Sequence, residues 1–494
     1  MLVDLLTDAV MQNARTSAYP FLMGLSRLLG RRAYWCVLGV RYAPTLRYTL
    51  TPRDLRLLLA EAARRKPQVV VLNARLPKKQ LSDISAVVPG ARLVYWALTE
   101  DLPDIADYVR HRIPEARGSV LDDARLLDRI QPIYRRKILN QALWAINPVI
   151  EVVGGSRCSY RAPVARNPFY RRLQLPSVSM GCSFCAMPDL RSSHWNIENS
   201  VAFAVKQIES VCRQRPTPGV EKRINLCGFE LWRRFEELVR ALVQRGVCGV
   251  ELNFMLRLDE LLNARRVIER CLPLLAENGA ALRINGLSVE NFSPDENRRL
   301  HKGITAEQVH EATAFLIDTN ARWPAQFRLP FGGLGMILFT PWTTPEDLRI
   351  NLDNIERCRL IDRAFALSRR LMLFRDVPIT LLAEQDGLLV KESESIFYNA
   401  GCNNDADRNE IPWRFAHSEV AILWRLARRL SSDRFNIPAD DPEKLAADAF
   451  IKESPPGPFD PLPLFREAIE TIKRHPTTSS ALELLDLLRS ARRK

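Results

Sequence analysis

Between residues 147 and 390, short apolar runs alternate with longer amphipathic stretches, and that alternation restricts the folds open to this chain more than any other feature. Strand-like runs fall at 149–153, 224–227, 249–254, 281–285, 335–339 and 370–374. Between them, at 201–213, 235–245, 264–277, 306–318 and 345–358, apolar residues recur three and four positions apart, the spacing of a helix that buries one face. A strand followed by a helix returns to its sheet as a parallel neighbour. Six such units over roughly 230 residues predict a parallel βα barrel or part of one, with ligands at the C-terminal ends of the strands. Pro345-Glu346-Asp347 after Thr343 and Thr344 is a well-formed helix start.

Residues 1–125 read as a smaller α/β unit. A strand is expected at 33–40, a helix at 51–67 with Thr51 as its N-cap and Pro52 in its first turn, and further strands at 68–73 and 91–96. The run at 68–73 is continuously apolar, as in a strand buried on both faces, so a doubly wound parallel sheet of Rossmann type is predicted. Residues 126–146 read as a helical connector interrupted at Pro132. After 390 the pattern changes to a polar loop at 391–413 and a helical extension to 494, with helices at 420–430, 464–473 and 481–490.

The chain carries 494 residues, a net charge of +14 and ten cysteines. Its arginines are scattered, with no aromatic-interleaved basic strand and no zinc-finger spacing, so the charge reads as a solvated surface and nucleic acid is not the expected partner. Most cysteines stand alone in apolar runs (Cys36, Cys212, Cys248, Cys271, Cys358), which argues against a disulfide framework and for a reducing compartment. The N-terminal stretch lacks a basic run before an apolar core, and no stretch reaches about 18 apolar residues, so a cytoplasmic protein with no membrane span is expected.

Three cysteines converge on one loop after the first barrel strand. Cys182 and Cys185 are separated by Ser183 and Phe184, a spacing that lets two thiolates bind one metal centre from a single turn. Cys158 begins Cys158-Ser159-Tyr160-Arg161, and removing residues 162–181 would join CSYR to CSFC. A structural zinc site closed by His194 is one reading of these ligands.

The joined sequence resembles the C-x3-C-x-aromatic-C signature of the radical S-adenosylmethionine (radical SAM) enzymes, with a first gap of 23 residues in place of three. Strict spacing would put Val178 at the first ligand position, and valine binds no iron. The barrel loops resemble that family in the same order. Gly228-Phe229-Glu230 follows the second strand and is similar to the family's Gly-Gly-Glu turn; Arg257-Leu258-Asp259 follows the third; Gly286, Glu290, Asn291 and Ser293, then Leu300-His301-Lys302-Gly303-Ile304-Thr305, follow the fourth. Phe339-Thr340-Pro341-Trp342-Thr343-Thr344 resembles the exit of the fifth.

The resemblance covers about residues 147–390 and implies a partial (βα)6 barrel of TIM type. Cys158, Cys182 and Cys185 would hold a [4Fe-4S] cluster, and Phe184 would lie against the adenine of S-adenosylmethionine. Gly228 and Glu230 would meet its amino group, and Glu290 and Asn291 its ribose hydroxyls. Arg257 would either face its carboxylate or pair with Asp259 or Glu260 on a surface. An electron donor such as flavodoxin or ferredoxin and a small-molecule or peptide substrate are implied, and the insert 162–181 is expected to cover the site or touch substrate. The N-terminal unit looks like a cobalamin-binding module but has no D-x-H-x-x-G motif, its one histidine being His111. Either cobalamin binds without a protein histidine, with methyl transfer as the leading reaction, or the unit is a scaffold and rearrangement, oxidation or cyclisation is as open. The absence of a second cysteine cluster counts against the auxiliary-cluster class and the tRNA methylthiotransferases.

Overall fold

The computed structural model describes residues 2–7, 35–43, 47–50, 52–72, 78–95, 150–153, 160–175, 179–185, 200–214, 222–227, 229–330, 333–374, 377–391, 394, 410–431, 437, 440–453 and 459–492. Cys158, Gly228, His111, His194, Cys402 and the connector 126–146 lie outside them.

Near the N-terminus five strands form one sheet: β1 (Leu2–Thr7), β2 (Trp35–Ala43), β3 (Arg47–Leu50), β4 (Val69–Leu72) and β5 (Arg92–Tyr95), in the order β3-β2-β1-β4-β5. β1 pairs parallel with both β2 and β4, and β4 with β5, while β3 turns back antiparallel on β2 at the edge. Helices Pro52–Arg65 and Lys78–Val87 precede β4 and β5. The strand order runs outward in both directions from β1, the arrangement of a doubly wound sheet. The central strand β1 and the edge strand β3 were not among the expected elements. The sequence LVDLLT carries an aspartate among its apolar residues, which interrupts the apolar run that marks a buried strand.

A second parallel sheet begins with β6 (Ile150–Val153), β7 (Lys222–Cys227), β8 (Val250–Met255) and β9 (Ala281–Asn285), each parallel to the next. The fourth and fifth units are then each split in two. β9 is followed by β10 (Ser288–Glu290); β11 (Phe327–Arg328) pairs parallel with β9, and β12 (Gly335–Met336) with β10. A parallel bridge from Phe339 to Arg370 carries the order one unit further. The expected fifth strand at 335–339 is thus corrected to two short pieces, and the sixth at 370–374 to bridges at Arg370 and Phe374. The reason is local. Pro330 offers no ladder donor, and Gly333 sits at φ +77°, where a Cβ would come within 2.1 Å of the Leu360 carbonyl oxygen. Helices Ser200–Gln214, Phe235–Gln244, Arg265–Glu277, Ala306–Arg322 and Pro345–Arg357 lie between the strands as expected. Thr305 with Gln308, and Thr344 with Asp347, close capping boxes at the starts of the last two.

The two faces of β8 differ sharply in chemistry. Val250, Leu252 and Phe254 pack outward, with the Phe254 ring edge-on to Trp232 and Phe235 of the neighbouring helices at 5.1 and 5.5 Å. Glu251, Asn253 and Met255 alternate onto the opposite, inner face. Strand register places Asn225, Asn253, Arg283 and Arg328 in one row across β7, β8, β9 and β11. Glu251 is fully buried and takes a two-pronged ion pair from Arg283 (3.0 and 3.1 Å) and a further bond from Arg328 (2.9 Å), with Arg223 at 4.0 Å. Branched aliphatic side chains usually fill a barrel interior; this row is polar.

At the open edge, residues 410–416 run along the sixth unit. Ile411 N–H donates to the Leu373 carbonyl (2.7 Å), Trp413 Nε1 to that of Leu371 (3.2 Å), and Arg370 holds Glu410 in a buried ion pair. The edge at residues 370–374 is covered on that side. Helices Ser418–Leu430, Pro442–Lys452, Pro461–Arg474 and Ala481–Arg492 form the C-terminal extension; Pro442–Lys452 was not expected, being short and rich in charge. Among the described residues no helix is long and apolar enough to cross a membrane.

A second buried carboxylate, Glu296 on helix Pro294–Arg299, accepts from Arg299 Nη1 at 2.5 Å and from the Thr340 hydroxyl. Burial pushes its carboxyl up from 4.5 to about 7, against the pull of Arg299 and Thr340.

Two measurements check these networks. Glu251→Ala leaves Arg283 buried without its carboxylate and lowers stability by about 3–5 kcal/mol in guanidinium unfolding. Because the folded state holds the Glu296 proton more tightly than the unfolded chain, the stabilising contribution is full below pH 4.5 and is lost as pH rises to about 7. The wild type therefore loses about 3 kcal/mol of stability across that window through this group. Glu296→Gln does not show this loss.

Candidate functional site

Cys182 and Cys185 flank a turn whose middle is fastened to the barrel on three sides. Cys185 N–H donates back to the Cys182 carbonyl at 3.2 Å, closing the turn. Ser183 between them is fully buried: its N–H donates to Leu300 O (3.1 Å), its hydroxyl to Arg299 O (2.6 Å), and its carbonyl accepts from Ile379 N–H (3.1 Å). The turn is thereby fixed against the end of helix Pro294–Arg299 and the start of helix Pro378–Gln385, and neither thiol is in a disulfide. Phe184 is partly buried and packs against the core.

The insert preceding the turn leaves and re-enters at one point. Gly181 N–H donates to Ala162 O at 2.9 Å, Val164 N–H to Ser179 O at 3.0 Å, and Pro163 bridges Met180 in antiparallel sense. Beyond that neck the insert docks on the same helix end. Asn167 Nδ2 donates to Arg298 O (2.6 Å), Tyr170 Oη to Arg299 O (2.5 Å), and the Arg299 guanidinium lies 4.6 Å from the Phe169 ring centroid. These bonds answer carbonyls that a helix C-terminus leaves without partners. Arg166, Arg171 and Arg172 are exposed.

Tyr160, on the near side of the neck, stacks on Arg257, whose guanidinium carbon is 3.9 Å from the ring centroid. Arg257 is 4% exposed and makes a fork to Asp259 (Nε–Oδ1 3.0 Å, Nη2–Oδ2 3.1 Å). It also donates to Lys302 O at 2.9 Å and directs Nη1 at Cys182 Sγ at 3.5 Å. The Asp259 pair is therefore present beside the cysteine turn, with the guanidinium buried and the carboxylate half-buried. Gly303 follows at φ +68°, and a Cβ there would stand 2.7 Å from Tyr160 Oη, so the Lys-Gly step is required by this close approach.

Lys302 and Glu290 form a second buried pair, Nζ–Oε1 2.9 Å with both residues 5% exposed. Glu290 adopts φ +67°, uncommon for a residue with a side chain. Burial pushes the Cys182 thiol up to about 11 while Lys302 and Arg257 pull it down. Burial likewise works against the Lys302 ammonium, yet Glu290 and Cys182 outweigh it and hold that pKa above the usual lysine value. Two positive charges and the Glu290 carboxylate thus face one sulfur; the cations offset part of the burial cost of its thiolate, and burial prevails in the metal-free protein.

Asn291, an expected ribose contact, sits in a hydrogen-bond network within the protein. It is fully buried; its Oδ1 accepts from Ser293 N–H (2.9 Å) and Asn351 Nδ2 (2.8 Å), and its Nδ2 donates to Ile337 O (2.9 Å). It braces the loop after β10 against β12. Glu230 lies in the first turn of helix Phe229–Arg233, its side chain outside the described residues along with Gly228 and Cys158. Among the described residues no three His, Cys, Asp or Glu side chains could together hold a metal ion, and the cysteine turn offers two thiol donors, Cys182 and Cys185. In donor type and flanking charge those two fit an iron–sulfur centre. Two contributors were not singled out from sequence, Ser183 and Tyr160, although the chain spells Cys-Ser-aromatic at both 158–160 and 182–184.

No family model matches the chain, and no curated protein matches it. Its fold is similar to a solved structure described as the apo, selenomethionine-labelled cobalamin-dependent S-adenosylmethionine radical enzyme OxsB. The two are 12% identical, with a TM-score of 0.50 over 99% of this chain and 75% of that one. Two variants of SsGBP align over 57% and 64% of this chain at 9% and 10% identity, with TM-scores of 0.16 and 0.17 that carry no argument. The likeness to OxsB is one of fold: a mixed α/β chain with parallel sheets and many helices.

Proposed function

We propose that this chain is a radical SAM enzyme whose cluster is held by Cys158, Cys182 and Cys185. The observation that carries this reading is the closed neck of the insert, where Ala162 and Gly181 are hydrogen-bonded at 2.9 Å. Residues on its two sides are neighbours, so a gap of 23 in sequence does the work of a gap of three. Tyr160 stacks on Arg257, which directs a donor at Cys182, and two residues of chain reach at most about 7 Å from Tyr160 to Cys158.

When bound, a [4Fe-4S] cluster would supply the electron that cleaves the sulfonium of S-adenosylmethionine to methionine and a 5′-deoxyadenosyl radical. The protein's own part is to hold and shield. Ser183 fixes the turn, and the Lys302–Glu290 and Arg257–Asp259 pairs keep charge beside the sulfur balanced. The polar inner row of Asn225, Asn253, Arg283 and Arg328 suits a small polar substrate better than an aliphatic one. Cobalamin would belong to the N-terminal sheet, a reading supported by its β3-β2-β1-β4-β5 order and by the printed description of OxsB; methyl transfer is then the leading reaction. An external one-electron donor such as flavodoxin or ferredoxin is required.

Anaerobic reconstitution tests the reading. Wild type binds about four irons per chain, and its dithionite-reduced EPR signal changes on adding S-adenosylmethionine. Cys158→Ala and Cys182→Ala lose or alter that signal. Replacing residues 163–180 by a short Gly-Asn turn, with Cys158 kept, retains the iron. A colourless wild type holding zinc would overturn the proposal, and a cluster unchanged in Cys158→Ala would move the third ligand elsewhere.

A further inference from the structure

We propose that Arg257 acts on the cluster through Cys182, donating Nη1–H to the ligating sulfur and raising the reduction potential, rather than gripping the carboxylate of S-adenosylmethionine. The inference rests on the radical SAM reading above and concerns one side chain within it.

The geometry argues against a substrate-binding fork. A guanidinium grips a carboxylate through two parallel N–H groups, and the Nε/Nη2 edge of Arg257 is already engaged in that way with Asp259 at 3.0 and 3.1 Å. Nη2 also donates to Lys302 O at 2.9 Å. One face of the plane is covered by Tyr160 at 3.9 Å. Together these contacts fix the remaining nitrogen, Nη1, at 3.5 Å from Cys182 Sγ. The residue is 4% exposed, so this geometry is enforced by packing rather than sampled by a mobile surface arginine.

A reduced cluster carries one more negative charge than an oxidised one. A fixed cation donating to a ligand sulfur stabilises the reduced state more, which moves the potential upward. Asp259 offsets part of that charge, and Tyr160 holds the plane in place without adding any. Arg257 is accordingly a positioning residue for the electron-transfer step, and its loss makes the cluster harder to reduce without removing a ligand.

The test is an EPR-monitored potentiometric titration of the full-length reconstituted protein as wild type, Arg257→Met, Arg257→Lys and Tyr160→Leu, with iron content and S-adenosylmethionine binding by equilibrium dialysis on each. Arg257→Met is expected to keep the wild-type iron content, bind S-adenosylmethionine within about twofold of wild type, and show a more negative midpoint potential. Arg257→Lys restores part of the shift because it keeps the charge and loses the fork. Tyr160→Leu, which leaves the arginine in place, gives a smaller shift of the same sign and keeps the inference testable if Arg257→Met does not fold. An unchanged potential in Arg257→Met, with S-adenosylmethionine affinity down about tenfold or more, would assign the arginine to the carboxylate and overturn the proposal. A wild type that takes up no iron would instead overturn the reading beneath it, before any variant is compared.

Discussion

A buried guanidinium beside a thiol can persist only if nearly all of its N–H groups are answered, and the site around Cys182 is arranged to meet that demand at Arg257. Asp259 supplies the counter-charge, Lys302 a carbonyl, Tyr160 a ring face and Cys182 a sulfur. Removing a charge from water costs several kcal/mol before any pairing, and the two-pronged bond to Asp259 is the contact that most directly offsets it. The second pair repeats the logic. Lys302 reaches Glu290 at 2.9 Å, and its backbone carbonyl is the group that Arg257 uses. The loop after β10, the loop after β8 and the cysteine turn are thus tied into one electrostatic unit, and the left-handed backbone at Glu290 and Gly303 lets the loop fold tightly enough to close it.

How much of this was legible in the sequence follows from how local each signal is. Strands β6 to β9 are strand-like runs of ordinary length, apolar on the face toward the helices, between helices of ordinary period, and they lie where the pattern put them. β11 is two residues long, preceding a proline and glycines, and no periodicity can announce so short a piece. The central strand β1 was hidden by its place at the start of the chain, and helix Pro442–Lys452 by its brevity and mixed charge. At the site, Cys182 and Cys185 could be found by spacing, and Arg257 and Glu290 by their order after successive strands. The sulfur contact of Arg257, the anchoring of Ser183 and the stacking of Tyr160 join loops far apart in the chain, so no local pattern contains them.

The second parallel sheet divides its tasks by strand parity. Outward residues such as Leu252 and Phe254 build a continuous apolar layer with the helices, while inward residues carry amides, guanidiniums and a carboxylate. Asn253, 3% exposed, leaves its Oδ1 with no hydrogen-bond partner among the described residues. An orphaned buried amide oxygen is costly to a fold and commonly marks a place where water or a ligand completes the bonding. Met255, two residues further along the same inner face, is 69% exposed at the C-terminal end of β8.

The neck between Ala162 and Gly181 makes the distance along the chain irrelevant to what meets at its base. Loops emerging from such a closed stem can lengthen or shorten by many residues while the groups below keep their places, because each doubling adds only about 0.6 kcal/mol of closure entropy. A signature written as fixed gaps between cysteines describes the thread and misses the knot. The two short stretches on either side of the stem, Cys-Ser-Tyr and Cys-Ser-Phe, are what stays constant when the loop beyond it changes length.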